Sequence, residues 1–220
     1  MKYIILLFVL FCTLPGFSQD KSIGVNAGLV DTGGIEGGMG FNMEFYYEKE
    51  FLKNLNYGIN FGIANHNNFP EGFEPVNNYV NGVPALIDEE IRNLAFVESF
   101  NYRFQKYNVE YSQLYLKYSP NLNILGFKVH TLLGLMLINV ESTAFGLAQW
   151  KIVNDRVDSY TPRYSFSSST EMGAVFGVGI NRQIVPDLHF SLNGKYNGQF
   201  NYSNIEYEFL TLNMGLSKRF

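Results

Sequence analysis

The sequence predicts an all-β chain, an eight-stranded antiparallel up-and-down transmembrane β-barrel with long extracellular loops. Three observations carry that expectation. Apolar and polar residues alternate singly through eight segments of about ten residues, the pattern of strands with two unlike faces. The connections between those segments are alternately short and long. Apolar residues make up 46% of the chain, yet its mean hydropathy is only −0.05, so they are dispersed among polar neighbours instead of gathered in blocks. Charged residues are sparse at 16%, while 20 Phe, 15 Tyr and 21 Gly favour sheet over helix.

The segments follow in order. "SIGVNAGLV" sets Ile23, Val25, Ala27 and Leu29 against Ser22, Gly24, Asn26 and Gly28. "MGFNMEFYY" sets Met39, Phe41, Met43, Phe45 and Tyr47 against Gly40, Asn42, Glu44 and Tyr46. "LNYGINFGI" is the cleanest, with Leu55, Tyr57, Ile59, Phe61 and Ile63 alternating with Asn56, Gly58, Asn60 and Gly62. "EYSQLYLKY" places Leu114, Leu116 and Tyr118 opposite Gln113, Tyr115 and Lys117. The fifth, "FKVHTLLGLMLI" over 127–138, is apolar on both faces. Its preferred reading turns Val129, Leu133, Leu135 and Leu137 outward and Lys128, His130 and Gly134 inward, with the opposite facing left open.

"EMGAVFGVGIN" opposes Met172, Ala174, Phe176, Val178 and Ile180 to Gly173, Gly177, Gly179 and Asn181. "LHFSLNGKY" opposes Leu188, Phe190, Leu192 and Tyr196 to His189, Ser191, Asn193 and Lys195. "FLTLNMGLSKRF" closes the series with Leu210, Leu212, Met214 and Leu216 against Thr211, Asn213, Gly215 and Ser217. Links after the second, fourth and sixth segments are short. Residues 64–108 and 141–170 are long, polar and loop-like, and "LIDEEIRNLAF" within the former reads as a short helix.

Alternation alone does not say which face meets water. The apolar faces carry Phe, Tyr, Leu and Met along nearly full segments, and the opposing faces are mostly Gly and Asn with few charges. That division suits lipid outside and a narrow, filled interior within. No segment after the N-terminus reaches the 18 apolar residues of a membrane helix.

The N-terminus has the form of an export signal. Lys2 precedes the apolar run "YIILLFVLF", and "LPGFSQ" supplies Pro15 and the small Gly16 and Ser18. The expected division is a signal peptide over 1–18 and a barrel domain over 19–220. Cleavage removes Lys2 and the lone Cys12, taking the net charge from −4 to −5 and leaving no cysteine. Without disulfides, stability must come from a core or a closed sheet. The mild acidity and the lack of a basic stripe argue against nucleic acid as a partner.

The final segment ends on Phe220, with Leu216, Met214 and Leu212 at alternate positions behind it. This is similar to the terminal strand of Gram-negative outer-membrane barrels, which the barrel-assembly machinery reads; Lys218 departs from that pattern. More widely, "YSQLYLKYSPN", "GAVFGVGINRQ", "NGKYNG" and "LTLNMGLSKRF" resemble the porin-family, PorT-like outer membrane protein beta-barrel domain. The resemblance implies a small barrel in the outer membrane, with lipid and the assembly machinery (through Phe220) as partners. It implies no catalytic residues and no cofactor.

Chemistry-bearing residues are few. Glu44, Lys117, Lys128, His130, His189 and Lys195 share the expected inner face, either as a self-satisfied polar network or as the lining of a gated pore. His66, in "NHNNF", reads as a solvated loop residue. His189 and Ser191 in "HFS" are similar to the His-x-Ser of outer-membrane lipid A deacylases, with Glu206 as a conceivable orienting acid. Against this, Leu192 stands where that family has Asn, and His189 lies at the short-turn end. "NHNN" offers one imidazole to a metal, and "DTGGIEGG" lacks the strand-to-helix context of a phosphate loop. Aromatic residues of the 64–108 stretch, Phe69, Phe73, Tyr79, Phe96, Phe100, Tyr102 and Phe104, would pack together or bind a partner. The expected role is a non-enzymatic envelope protein with surface loops, structural or ligand-binding. A narrow channel for small solutes is the alternative, and a barrel-face lipid hydrolase the third.

Overall fold

A computed structural model describes residues 21–31, 40–69, 83, 85–93, 105–200 and 208–220. The signal segment, the "TGGIEGG" that follows Asp31, Glu206 and the loop aromatics from Phe73 to Phe104 lie outside the described residues. All eight alternating segments are strands. They run as β1 (Lys21–Asp31), β2 (Gly40–Leu52), β3 (Leu55–Asn67), β4 (Gln105–Tyr118), a two-residue β5 (Asn123–Ile124), β6 (Phe127–Val153), β7 (Arg156–Val185), β8 (Leu188–Gln199) and β9 (Phe209–Arg219). A helix, α1 (Ala85–Arg92), lies between β3 and β4, overlapping the stretch expected to be helical and starting one residue before it.

Neighbours in sequence pair antiparallel, and the ring closes twice over: β9 pairs with β1 through Ala27↔Met214, and β4 with β6 through Leu114↔Leu135. β5 pairs only with β6, inside the turn that joins β4 to β6. A closed antiparallel ring leaves no unpaired edge in the barrel wall, which lipid would not tolerate.

The wall's outer face is hydrocarbon. Leu133 is 64% exposed and Met214 61%, and Val25, Phe45, Phe61, Leu116 and Phe176 are likewise open. In water such a belt would drive aggregation; in a bilayer it is the solvated surface. On β6 the outward apolar run from Val129 to Leu137 rises roughly 26 Å at about 3.3 Å per residue. Tilted, this spans about 20 Å along the axis, close to the usual lipid-facing band. The ambiguous fifth segment faces as preferred: His130, Leu132, Met136 and Ile138 are buried, while Leu133 and Leu135 are exposed.

Inside, small residues make room for large ones on the next strand. Gly58 lies opposite Tyr115 and Gly62 opposite Tyr111. A Cβ on Gly62 would collide with the Tyr111 ring, and one on Gly58 with that of Tyr115. The phenols thus lie flat across glycine backbone and fill the lumen.

The long links depart from the sequence expectation. Residues 141–170 are no loop. β6 and β7 stay paired from Lys128↔Asn181 to Val153↔Arg156, past the last β4 partner at Gln105↔Ala144, with bulges at Leu147/Gln149 and Lys151/Ile152. Residues 145–153 carry the hairpin roughly 30 Å beyond that rim at ~3.3 Å per residue. It turns on Asn154 and Asp155, with φ of 52° and 59°, the left-handed pair a two-residue hairpin turn requires. β3 and β4 likewise run farther than expected, to Asn67 and from Gln105.

Candidate functional site

The lumen is built in layers. At the short-turn end, Lys117 Nζ pairs with Glu48 at 2.9 and 3.1 Å, and Tyr115 donates its hydroxyl to Glu48 Oε1 at 2.9 Å. One step up, Lys195 Nζ pairs with Glu44 at 2.7 and 2.8 Å, and Asn26 Nδ2 donates to Glu44 Oε2 at 2.8 Å. Side chains of this second pair are only 4% and 1% exposed. His130 Nε2 lies 2.8 Å from Asn193 Oδ1, and Asn181 Nδ2 lies 3.3 Å from His130 Nδ1. Those partners assign the proton to Nε2, leaving Nδ1 as an acceptor.

An amide ladder follows. Asn60 Nδ2 donates to Gln113 Oε1 at 2.9 Å, Gln113 Nε2 to Asn197 Oδ1 at 2.7 Å, and Asn42 Nδ2 to Asn213 Oδ1 at 2.9 Å. Above it the lumen turns apolar: Val30, Ala64, Val109, Met136, Ile138, Val140 and Phe209 form one buried cluster with Tyr107 and Tyr111. Tyr111 spans the boundary. Its ring lies 5.6 Å from that of Phe209, while its hydroxyl is 2.7 Å from Asn42 Oδ1 and 2.9 Å from Glu44 Oε1.

Of the six residues placed on the inner face from sequence, Glu44 and Lys195 meet directly, and His130 is held by amides. Lys117 pairs with Glu48, which sequence reasoning missed although it continues the inward parity of Glu44. Lys128 and His189 stand apart, in an open cavity of about 320 Å³ at the short-turn end. His66 is corrected outright. It is no solvated loop residue but a buried group on the inner face of β3, its ring 6.4 Å from that of Tyr107. The alternation Gly58, Asn60, Gly62, Ala64 simply continues through it. Ser191 accepts a hydrogen bond from Asn193 Nδ2 at 3.2 Å, and His189 looks into the cavity. Phe220 is exposed at the same end, its backbone paired with Lys21, and Lys218 Nζ lies 5.5 Å from the ring centroid. The departure at Lys218 therefore covers the aromatic instead of competing with it.

A second core lies beyond the rim. Ile87 and Ile91 of α1 pack with Phe69 against Phe145, Leu147, Val157 and Tyr164 of the hairpin. Asp88 joins helix to hairpin: Arg92 Nε donates to it at 2.8 Å and Tyr160 Oη at 2.5 Å, and Arg92 Nη1 reaches the Asp158 carbonyl at 3.0 Å. Those donors hold the Asp88 carboxyl below the usual carboxylate range, while burial and Asp88 raise the Tyr160 phenol. Of the seven loop aromatics Phe69 alone is among the described residues, and its ring lies 6.1 Å from that of Tyr164 on the hairpin.

No protein-family model and no curated protein matches the sequence. Solved structures do. Neisserial surface protein A is similar over 92% of this chain and 98% of its own, at 12% identity and a TM-score of 0.50. The attachment invasion locus protein Ail of Yersinia pestis covers 93% and 100% at 13% identity and 0.46. A major outer membrane protein from Thermus thermophilus covers 91% and 99% at 16% identity and 0.48. With its closed ring, hydrocarbon belt and alternating turns and extensions, the chain has the fold of an eight-stranded outer-membrane β-barrel.

Proposed function

We propose that the chain is a non-enzymatic outer-membrane barrel with a closed lumen, anchoring a surface-displayed hairpin–helix module that binds a ligand or partner. One observation carries this reading: β6 and β7 remain paired beyond the rim, and α1 completes a separate apolar core upon them. A link that merely joined two strands would need neither. The hairpin tip leaves Trp150, Ile152 and Val153 open beside Lys151, a composition suited to contact with another molecule. Ion pairs beneath an apolar layer support closure. Membrane lipid is the partner of the belt, and β9 with Phe220 is the segment assigned to the barrel-assembly machinery. Kinship with the PorT-like domain belongs to the same proposal and adds no activity.

Single-cysteine labelling tests the display, because Cys12 is the chain's lone cysteine and lies in the signal segment. Lys151→Cys is expected to react with a membrane-impermeant maleimide on intact cells, and Asn121→Cys only after permeabilisation. The reverse pattern would overturn the reading.

A further inference from the structure

The cavity at the short-turn end carries more positive charge than the barrel needs. Glu48 and Glu50 are the carboxylates on its wall, and each is already engaged: Glu48 by Lys117 at 2.9 Å, Glu50 by Arg219 Nη2 at 3.2 Å. The Asn54 amide also donates to Glu50 Oε1, at 3.1 Å. Two further lysines, Lys21 and Lys128, line the same space, and neither has an acidic partner among the described residues. His189 lines the same cavity, within reach of the charges of Arg219, Lys128 and Lys117, with Asp187 opposing. A fold that merely sealed itself would pair these cations with carboxylates, as it does for Lys117 and Lys195.

We infer that this mouth is a binding site for a small multivalent oxyanion, reached from the periplasm. Lys128 and Lys21 supply the uncompensated charge, and His189 and Ser217 supply hydrogen-bond donors. The volume of about 320 Å³ accommodates a diphosphate or a small polycarboxylate. Concave walls lined by charge of one sign concentrate such ions. The ammonium groups act as point charges with rotatable donors, so selection is by charge and size over geometry. The Lys117–Glu48 pair forms part of the wall of this site, the Lys195–Glu44 pair is not among its lining residues, and the site is independent of whether the lumen conducts.

The test uses mature barrel in zwitterionic nanodiscs, with pyrophosphate followed by phosphorus NMR linewidth. Wild type is expected to bind saturably, and Lys128→Gln to weaken binding about tenfold, the usual effect of losing one charge-assisted contact. His189→Gln is expected to weaken it several-fold, whereas Lys106→Gln on β4, near the opposite rim and away from this cavity, leaves it unchanged. Citrate is expected to compete, since carboxylates and phosphates share the recognised chemistry. Heat-modifiable gel mobility confirms that each variant is folded. Absence of saturable binding in wild type, or an equal loss in Lys106→Gln, overturns the assignment.

Discussion

The two halves of the lumen solve one problem by opposite means. Near the short turns the interior is charged, and every buried carboxylate there has a cation: Glu44 with Lys195, Glu48 with Lys117. Toward the extracellular rim it is hydrocarbon, with Val30, Ile138, Val140 and Phe209 packed as in a soluble core. Tyr111 belongs to both, its ring above and its hydroxyl below. Closure thus depends on geometry and pairing in the lower half and on packed volume in the upper, so the halves should fail differently when altered.

The largest effect is expected below. Lys195→Met strands the Glu44 carboxylate, and unfolding free energy in micelles should fall by about 3–5 kcal/mol. Replacing both partners with Met should restore most of it. Denaturant titration read by gel mobility decides this, and a fully stable single variant would remove the pair from its role. In the upper layer Ile138→Ala should cost about 2–4 kcal/mol through lost contacts and a cavity, and no second substitution at a charged site should rescue it. Gly62→Ala tests the boundary. Its methyl meets the Tyr111 ring, so a loss of about 1–3 kcal/mol is expected, relieved by Tyr111→Leu.

The smallest effect belongs to the module outside the membrane. Asp88 has a lowered pKa, so what it contributes to docking α1 is complete above about pH 4, the ordinary carboxylate value, and lost only as pH falls through the lowered one. Carbon NMR of the side-chain carboxyl should show Asp88 titrating below the ordinary aspartate value; a midpoint at that value would dissolve the link to Arg92 and Tyr160. Tyr160→Phe should raise the Asp88 midpoint and leave the barrel's stability untouched.

This division of the lumen explains what could be read from the chain. Lipid imposes a strict two-residue period on the wall, so strands from Ile23 to Leu216 were legible, with the facing left open only over 127–138. The apolar upper lumen was visible only as a defect of that period: "FKVHTLLGLMLINV" is apolar on both faces because Ile138 and Val140 point into hydrocarbon as Leu133 and Leu135 point out to it. The hairpin beyond the rim was hidden for the opposite reason. No lipid bathes it, so neighbouring Asp158 and Ser159 on its second strand expose polar groups on both faces, and only the Asn154–Asp155 turn marked it. Ion pairing across 151 residues, as between Glu44 and Lys195, leaves no local trace; inward parity narrowed the candidates, and the fold chose the partners.

Planar-bilayer conductance tests the closed lumen most directly. Wild-type barrel is expected to give no unitary current step at either polarity, because the ion-paired layer and the apolar layer stand in series. A steady, reproducible step from the unmodified protein would contradict the account and make the chain a narrow channel.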